Sequence, residues 1–167
     1  MKPRWAGGLL ALIVLAADQA SKLYLLHGLK MVEGQRIALT PFFDLYLMGN
    51  TGISYSLFQQ TTAAGRWALL GVTIVATILL SIWLWRISGL LSALALGAII
   101  GGALGNGYDR FAYGAVVDFC DIHLLGWHFY VFNVADTGIT LGVVLLLYDG
   151  LFAEKRQRAR QTGVSAP

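Results

Sequence analysis

The sequence predicts an all-α membrane protein: a bundle of four transmembrane helices carrying a small β-rich platform on its extracytoplasmic side. Three observations lead there. Of the 167 residues, 57% are hydrophobic and only 13% are charged, about half the ~25% charged share of an ordinary soluble domain. The apolar residues are gathered into four runs, each close to the ~20 residues an α-helix needs to cross ~30 Å of hydrocarbon. Two long connections carry β-branched and aromatic residues in the manner of short strands.

The first span runs from about Trp5 to Leu26 and holds Asp18 and Lys22 in its second half. Lys2 and Arg4 before it, with Ala17-Asp18-Gln19-Ala20 inside it, have a faint look of a cleaved signal peptide. Apolar character resumes at Leu23 and three more spans follow, so a retained helix is expected. The second span, about Trp67 to Trp85, and the third, about Ile87 to Tyr108, contain no charge. The fourth, about Phe129 to Tyr148, is interrupted by Asp136. Trp5, Trp67, Trp83, Trp85, Trp127 and Tyr148 fall near the proposed ends, as in an aromatic belt. Residues 1–160 read as one membrane domain and 161–167 as a disordered tail.

Strands are expected at Phe42 to Met48, at Ala115 to Cys120 and at Trp127 to Phe132, the last two separated by a turn at Gly126. Orientation follows from lysine and arginine. Lys2, Arg4, Arg86, Lys155, Arg156, Arg158 and Arg160 lie on one side, in short segments close to the helix ends. That side is expected to be cytoplasmic, with both termini inside and the connections at about 27–66 and 109–128 outside. The cluster from Lys155 to Arg160 is placed to meet anionic membrane lipids. Cys120 is the sole cysteine, which excludes an intramolecular disulfide. His27, His123 and His128 lack ligand spacing, so no metal and no cofactor is expected. No nucleic-acid partner is expected either.

The polar residues converge on one level. At 1.5 Å per residue, Asp18 lies roughly 12 Å inside the outer end of the first span and Asp136 roughly 10 Å inside that of the fourth. Asn106 is close to the outer end of the third span, and Asp118 lies in a connection able to fold back over the bundle. Asn133, Asp136, Thr137 and Thr140 follow the i, i+3, i+4, i+7 pattern of one helix face. Asp18 precedes Lys22 by four residues, the favourable order, and Lys22 is expected to snorkel to the outer interface. Ala93, Gly97, Gly101 and Gly105 repeat every four residues, which lets another helix approach closely.

A charged residue inside a span costs about 2.5–3.5 kcal/mol on insertion scales, so two intramembrane aspartates call for a use. Blander readings stand beside the functional ones. Asp18 pairs with Lys22 merely to order a helix end; Asp136 is neutral interhelical glue; Asp118 is an exposed loop acid. Asp109, Arg110 and Asp121 form a solvated charge cluster, and Asp44 and Asp149 are turn or interface residues. A proton-relay protein or transporter would need its polar path to continue inward, and the second and third spans offer no charge for it. A scaffold packed on the glycine ladder would leave Asp118 and Asp136 without a use.

Five segments, in order, carry a resemblance: Asp18-Gln19-Ala20-Ser21-Lys22; Asn50-Thr51-Gly52-Ile53-Ser54-Tyr55-Ser56; Gly101 through Asn106 to Arg110; Val116-Val117-Asp118-Phe119; and Phe132-Asn133-Val134-Ala135-Asp136. Together they resemble the lipoprotein signal peptidases (signal peptidase II), a family of bacterial inner-membrane aspartic peptidases. Ile53-Ser54 stands where the family usually has two alanines, Gly107 replaces a larger apolar residue, and Thr137 stands where serine is common.

The resemblance implies four spans with an extracytoplasmic β-cradle and a short helix near the membrane surface. It places the catalytic pair on Asp118 and Asp136. Supporting residues fall on Asp18, Lys22, Asn50, Gly52, Asn106, Arg110 and Asn133. The implied substrate is a prolipoprotein whose cysteine bears diacylglycerol, cleaved just before that cysteine near the periplasmic face of the inner membrane. A monomer is expected. Two carboxyls held close in a low-dielectric site do not both ionise easily, which suits one to act as base and the other as acid.

Overall fold

The structure, a computed structural model, describes residues 2–52 and 62–162, with side chains as far as residue 152. Helix α1 spans Pro3–Leu23 and continues as a π-helical turn over Tyr24–Gly28. Helix α2 spans Ala63–Arg86, α3 Leu90–Ala112 and α4 Val134–Thr162. All four are long and apolar enough to cross a membrane. Local chemistry sets their ends. Pro3 opens α1 at a position where no amide hydrogen is needed. The Thr62 hydroxyl caps α2 by accepting from the Gly65 amide at 3.2 Å. Gly114, at φ 84°, follows the end of α3.

Helix α3 is the axis of the bundle. In its most apolar stretch 67% of the residues are buried, against 22% for α1 and 17% for α2 and for α4. The glycine ladder packs α3 against α1: a Cβ at Gly97 would lie 2.1 Å from the Gly7 carbonyl oxygen, and one at Gly101 2.4 Å from that of Ala11. Gly102 meets α4 in the same way, 2.3 Å from the Ala135 carbonyl oxygen. Backbones approach this closely only where side chains are missing. The outward faces of α1, α2 and α4 present exposed Leu, Ile and Val, such as Leu12, Val75, Leu79 and Leu147. A lipid environment accounts for that surface.

Four strands form one antiparallel sheet in the order β1-β2-β3-β4: Arg36–Thr40, Phe43–Asn50, Val116–Leu124 and Trp127–Phe132. Its apolar face sets Leu47, Val117 and Phe119 against Leu25 and Met31, just past the end of α1. The β3–β4 hairpin turns on Leu125 and Gly126, both at positive φ (51° and 82°), the geometry of a tight primed turn. The register sets Asp118 opposite Met48 and Val116 opposite Asn50.

The structure departs from the sequence reading in several respects. Strand β1 was not anticipated; Arg36 to Thr40 alternates too weakly to stand out. Phe129 to Phe132, assigned above to both the platform and the fourth span, pairs with β3, so α4 begins at Val134. Asp136 therefore lies in the first turn of its helix rather than two turns inside it, since a short apolar run does not by itself distinguish strand from helix. Helix α4 runs on through Thr162, and residues 163–167 of the expected tail lie outside the described residues. Among the described residues there is no separate surface helix, and Ile53 to Ser56 of the second motif lie outside them.

Candidate active site

The start of α4 builds the centre of the site. The Asn133 side-chain oxygen accepts from the Asp136 amide at 2.9 Å, and Asp136 Oδ2 accepts from the Asn133 amide at 3.3 Å. This reciprocal pair is a capping box, which satisfies two backbone donors that a helix N-terminus leaves open. The cap also leaves the Asn133 side-chain nitrogen, Nδ2, free to point across the bundle. It donates to Asp118 Oδ1 at 2.6 Å and to Asn106 Oδ1 at 3.1 Å. One asparagine thus links β3, α3 and α4, and bridges the two aspartates. Asn106 Nδ2 completes the arrangement by donating to Asp136 Oδ1 at 2.8 Å.

Asp118 is fully buried. Its second oxygen accepts from Asn50 Nδ2 at 3.0 Å, at the end of β2. Burial first, and then the charge of Asp136, push the Asp118 carboxyl up to about 7. Asn50 also fixes the Gly52 backbone, its side-chain oxygen accepting from the Gly52 amide at 2.9 Å. Arg110 holds the same residue from α3, donating to the Gly52 carbonyl at 2.8 Å. Asp136 faces two cavities. One, of about 300 Å³, lies between α2, α3 and α4 and is lined by Asn50, Asn106, Arg110 and Tyr130 above apolar residues such as Val72 and Ile139. The other, of about 510 Å³, is lined by Phe129, Tyr130 and Phe132 of β4 and by Thr137 and Thr140 of α4.

Asp18 and Lys22 stand one layer behind. Lys22 does not snorkel: it is 1% exposed, with Nζ 2.7 Å from Asp18 and 2.6 Å from Asp109. The physical reason is that α3 presents Asp109 to it, so the ammonium finds two carboxylates inside the bundle. Asp18 is likewise more than Lys22's partner, because its other oxygen accepts from the Ala135 amide at 2.9 Å, in the first turn of α4. Its blander reading therefore does not suffice.

A profile described as "Signal peptidase (SPase) II" matches residues 10–152 of the chain. The chain belongs to the signal peptidase II family. It is 50% identical to a lipoprotein signal peptidase of Beijerinckia indica subsp. indica, over 100% of this chain and 96% of the relative. It is 51% identical to a lipoprotein signal peptidase of Methylocella silvestris, over 99% of each. Two solved structures share the fold, both described as bacterial membrane enzymes. One, at 2.3 Å resolution, has 27% identity and a TM-score of 0.79 over 90% of each chain. The other, at 1.9 Å resolution, has 28% identity and a TM-score of 0.74 over 87% of this chain and 92% of that one.

In this signal peptidase II family member, the sequence-derived residues Asp118, Asp136, Asn50, Gly52, Asn106, Arg110 and Asn133 meet at the sheet end of the bundle, with Asp18 and Lys22 beneath them. Three others were missed. Asp109 is fully buried and is no solvated charge. It continues the four-residue ladder Gly97, Gly101, Gly105 by one step, a signal the sequence did contain. Gln19 links it to α1, donating to Asp109 Oδ1 at 2.9 Å. Tyr130 lines both cavities, and Asn50 Nδ2 lies 3.3 Å from its hydroxyl; nothing in the sequence singled it out.

The remaining acids are also more constrained than expected. Arg36 bridges the buried carboxylates of Asp44 and Asp121, the former at 2.8 Å. Its hydrogen bond holds the Asp44 carboxyl below the usual carboxylate range. His128 Nδ1 lies 2.9 Å from Asp121, and His123 Nε2 lies 3.2 Å from Asp44. Asp149 accepts from Ser92, tying α4 to α3. Cys120 lies two residues from Asp118, and burial pushes its thiol up to about 11. A thiol so poorly ionised is a weak nucleophile.

Proposed function

We propose that this chain removes the signal peptides of lipid-modified prolipoproteins, cleaving before the lipidated cysteine with Asp118 and Asp136 as an aspartic dyad. The observation that carries the reading is the bridge: Asn133 donates to Asp118 and exchanges hydrogen bonds with Asp136, so one residue joins the two carboxyls, and Asp136 lines a cavity. A carboxyl raised to about 7 still has its protonated form well populated near neutrality, unlike an ordinary aspartate. Asp118 in that form donates to the scissile carbonyl oxygen, while Asp136 takes a proton from a water molecule that attacks the carbonyl carbon. The water oxygen bonds to carbon; the carbon–nitrogen bond then breaks as the amine of the cysteine takes the proton held by Asp136, and the former carbonyl oxygen returns its proton to Asp118. No covalent enzyme intermediate is required.

The lateral setting suits such a substrate. Its signal helix and its acyl chains are both apolar, and Asp136 sits between two largely apolar cavities. The arginine and lysine distribution favours an extracytoplasmic site with both termini cytoplasmic. Arg110 and Asn50 fix the backbone of Gly52 next to the dyad's own partners, Asn50 also donating to Asp118. Purified protein incubated with a diacylglyceryl-modified prolipoprotein peptide tests the reading. Asp136→Asn is expected to insert and fold yet to release no signal peptide; cleavage at the wild-type rate would remove the dyad.

A further inference from the structure

The mechanism leaves Asp109 without a task, yet it touches both halves of the site. Its Oδ2 accepts from the backbone amide of Val117, the residue before Asp118, at 3.1 Å. The same oxygen lies 2.6 Å from Lys22 Nζ, and Lys22 in turn reaches Asn106 Oδ1 at 3.4 Å. An ammonium has donors only, so it holds the amide oxygen of Asn106 toward itself and leaves Nδ2 for Asp136. Two branches therefore run from one carboxylate. One ends at the strand position beside Asp118, and the other passes through Lys22 and Asn106 to Asp136.

We infer that Asp109 is a positioning residue for both carboxyls, setting β3 at Val117 and, through Lys22, the amide of Asn106. The inference rests on the dyad reading above. Neutralising Lys22 does not explain Asp109, because Asp18 already pairs with that ammonium at 2.7 Å. With Asp109 the trio carries one formal negative charge in excess; without it the trio is neutral. A second buried carboxylate costs desolvation that simple pairing does not need. Asp109 makes a contact that Asp18 does not, to Val117, while the outward oxygen of Asp18 is taken by Ala135.

Asp109→Asn tests this, since it keeps the side chain's shape and leaves Asp18–Lys22 charge-balanced. Steady-state cleavage of the lipidated peptide is measured for wild type, Asp109→Asn, Asp118→Asn and Asp136→Asn, together with thermal unfolding. For Asp109→Asn, kcat is expected to fall roughly 10- to 100-fold with KM changed less than about 2-fold, the pattern of a displaced reacting group. The limbs of its pH–kcat profile are also expected to move. Among the described residues, the charged and titratable groups facing the dyad are Asp18 and Lys22 from α1, Asp109 and Arg110 from α3, Cys120 from β3 and Tyr130 from β4, and the set loses one charge. Wild-type kcat and an unmoved pH profile would overturn the inference. Should Asp109→Asn fail to fold, Asp109→Ser is measured in the same way; failure of both to fold would also overturn it, by making the role structural. Activity in Asp118→Asn or Asp136→Asn would instead overturn the dyad reading, whatever Asp109→Asn does.

Discussion

Replacing Asp118 by asparagine is expected to stabilise the folded enzyme above neutral pH while abolishing cleavage. The carboxyl is raised from 3.8 to about 7 by burial and by the nearby charge of Asp136. Between those values the folded chain holds a proton that the unfolded chain has released. Stability therefore falls as pH rises through that window and levels off above it. At ~1.4 kcal/mol per pH unit, the ionised carboxylate costs the fold about 4 kcal/mol above neutrality.

Asparagine does not ionise and escapes that cost, but it carries one of its own. Both oxygens of Asp118 accept amide protons, from Asn133 at 2.6 Å and from Asn50 at 3.0 Å. The new NH2 group must face one of these donors, which costs about 1–3 kcal/mol. The net gain is then about 1–3 kcal/mol near pH 8, shrinking to zero or reversing near pH 5. Thermal unfolding of detergent-solubilised wild type and Asp118→Asn across that range measures the difference. Parallel stability curves would refute the reasoning, because they would mean that Asp118 binds its proton no more tightly in the folded chain.

Two further substitutions probe the supporting structure. Lys22→Met leaves Asp18 and Asp109 buried without their cation, and a loss of about 3–5 kcal/mol is expected in the same unfolding assay; an unchanged midpoint would restore the snorkelling picture. Gly97→Ala would put its Cβ 2.1 Å from the Gly7 carbonyl oxygen, forcing α1 and α3 apart. It is expected to cost about 1–3 kcal/mol, whereas Gly71→Ala, with open space around its Cβ, serves as a control expected to cost nothing.

Much of the site was legible before the fold was known, and some legible features were overlooked. The ladder at Gly97, Gly101 and Gly105 points on to Asp109, and Asn133-Val134-Ala135-Asp136 has the spacing of a capping box that marks a helix start. Starting the fourth span at Phe129 rather than at this cap put Asp136 too deep. Strand β4 was harder, because Phe129 to Phe132 is as apolar as the span beyond it and only its pairing with β3 separates the two.

The sequence by itself determined that there are four long apolar helices and which polar residues gather at one end of them. Hydropathy and motif spacing are local properties, and they survive without a partner. Only the tertiary structure decided that Lys22 is buried, that Asn133 joins Asp118 to Asp136, and that Asp109 reaches both. Each of those facts depends on a donor meeting an acceptor from another element: Asp109 of α3 for Lys22 of α1, and Asp118 of β3 for Asn133 at the head of α4. A long polar side chain goes to water or into the bundle according to what waits there, and that is set by how the helices pack.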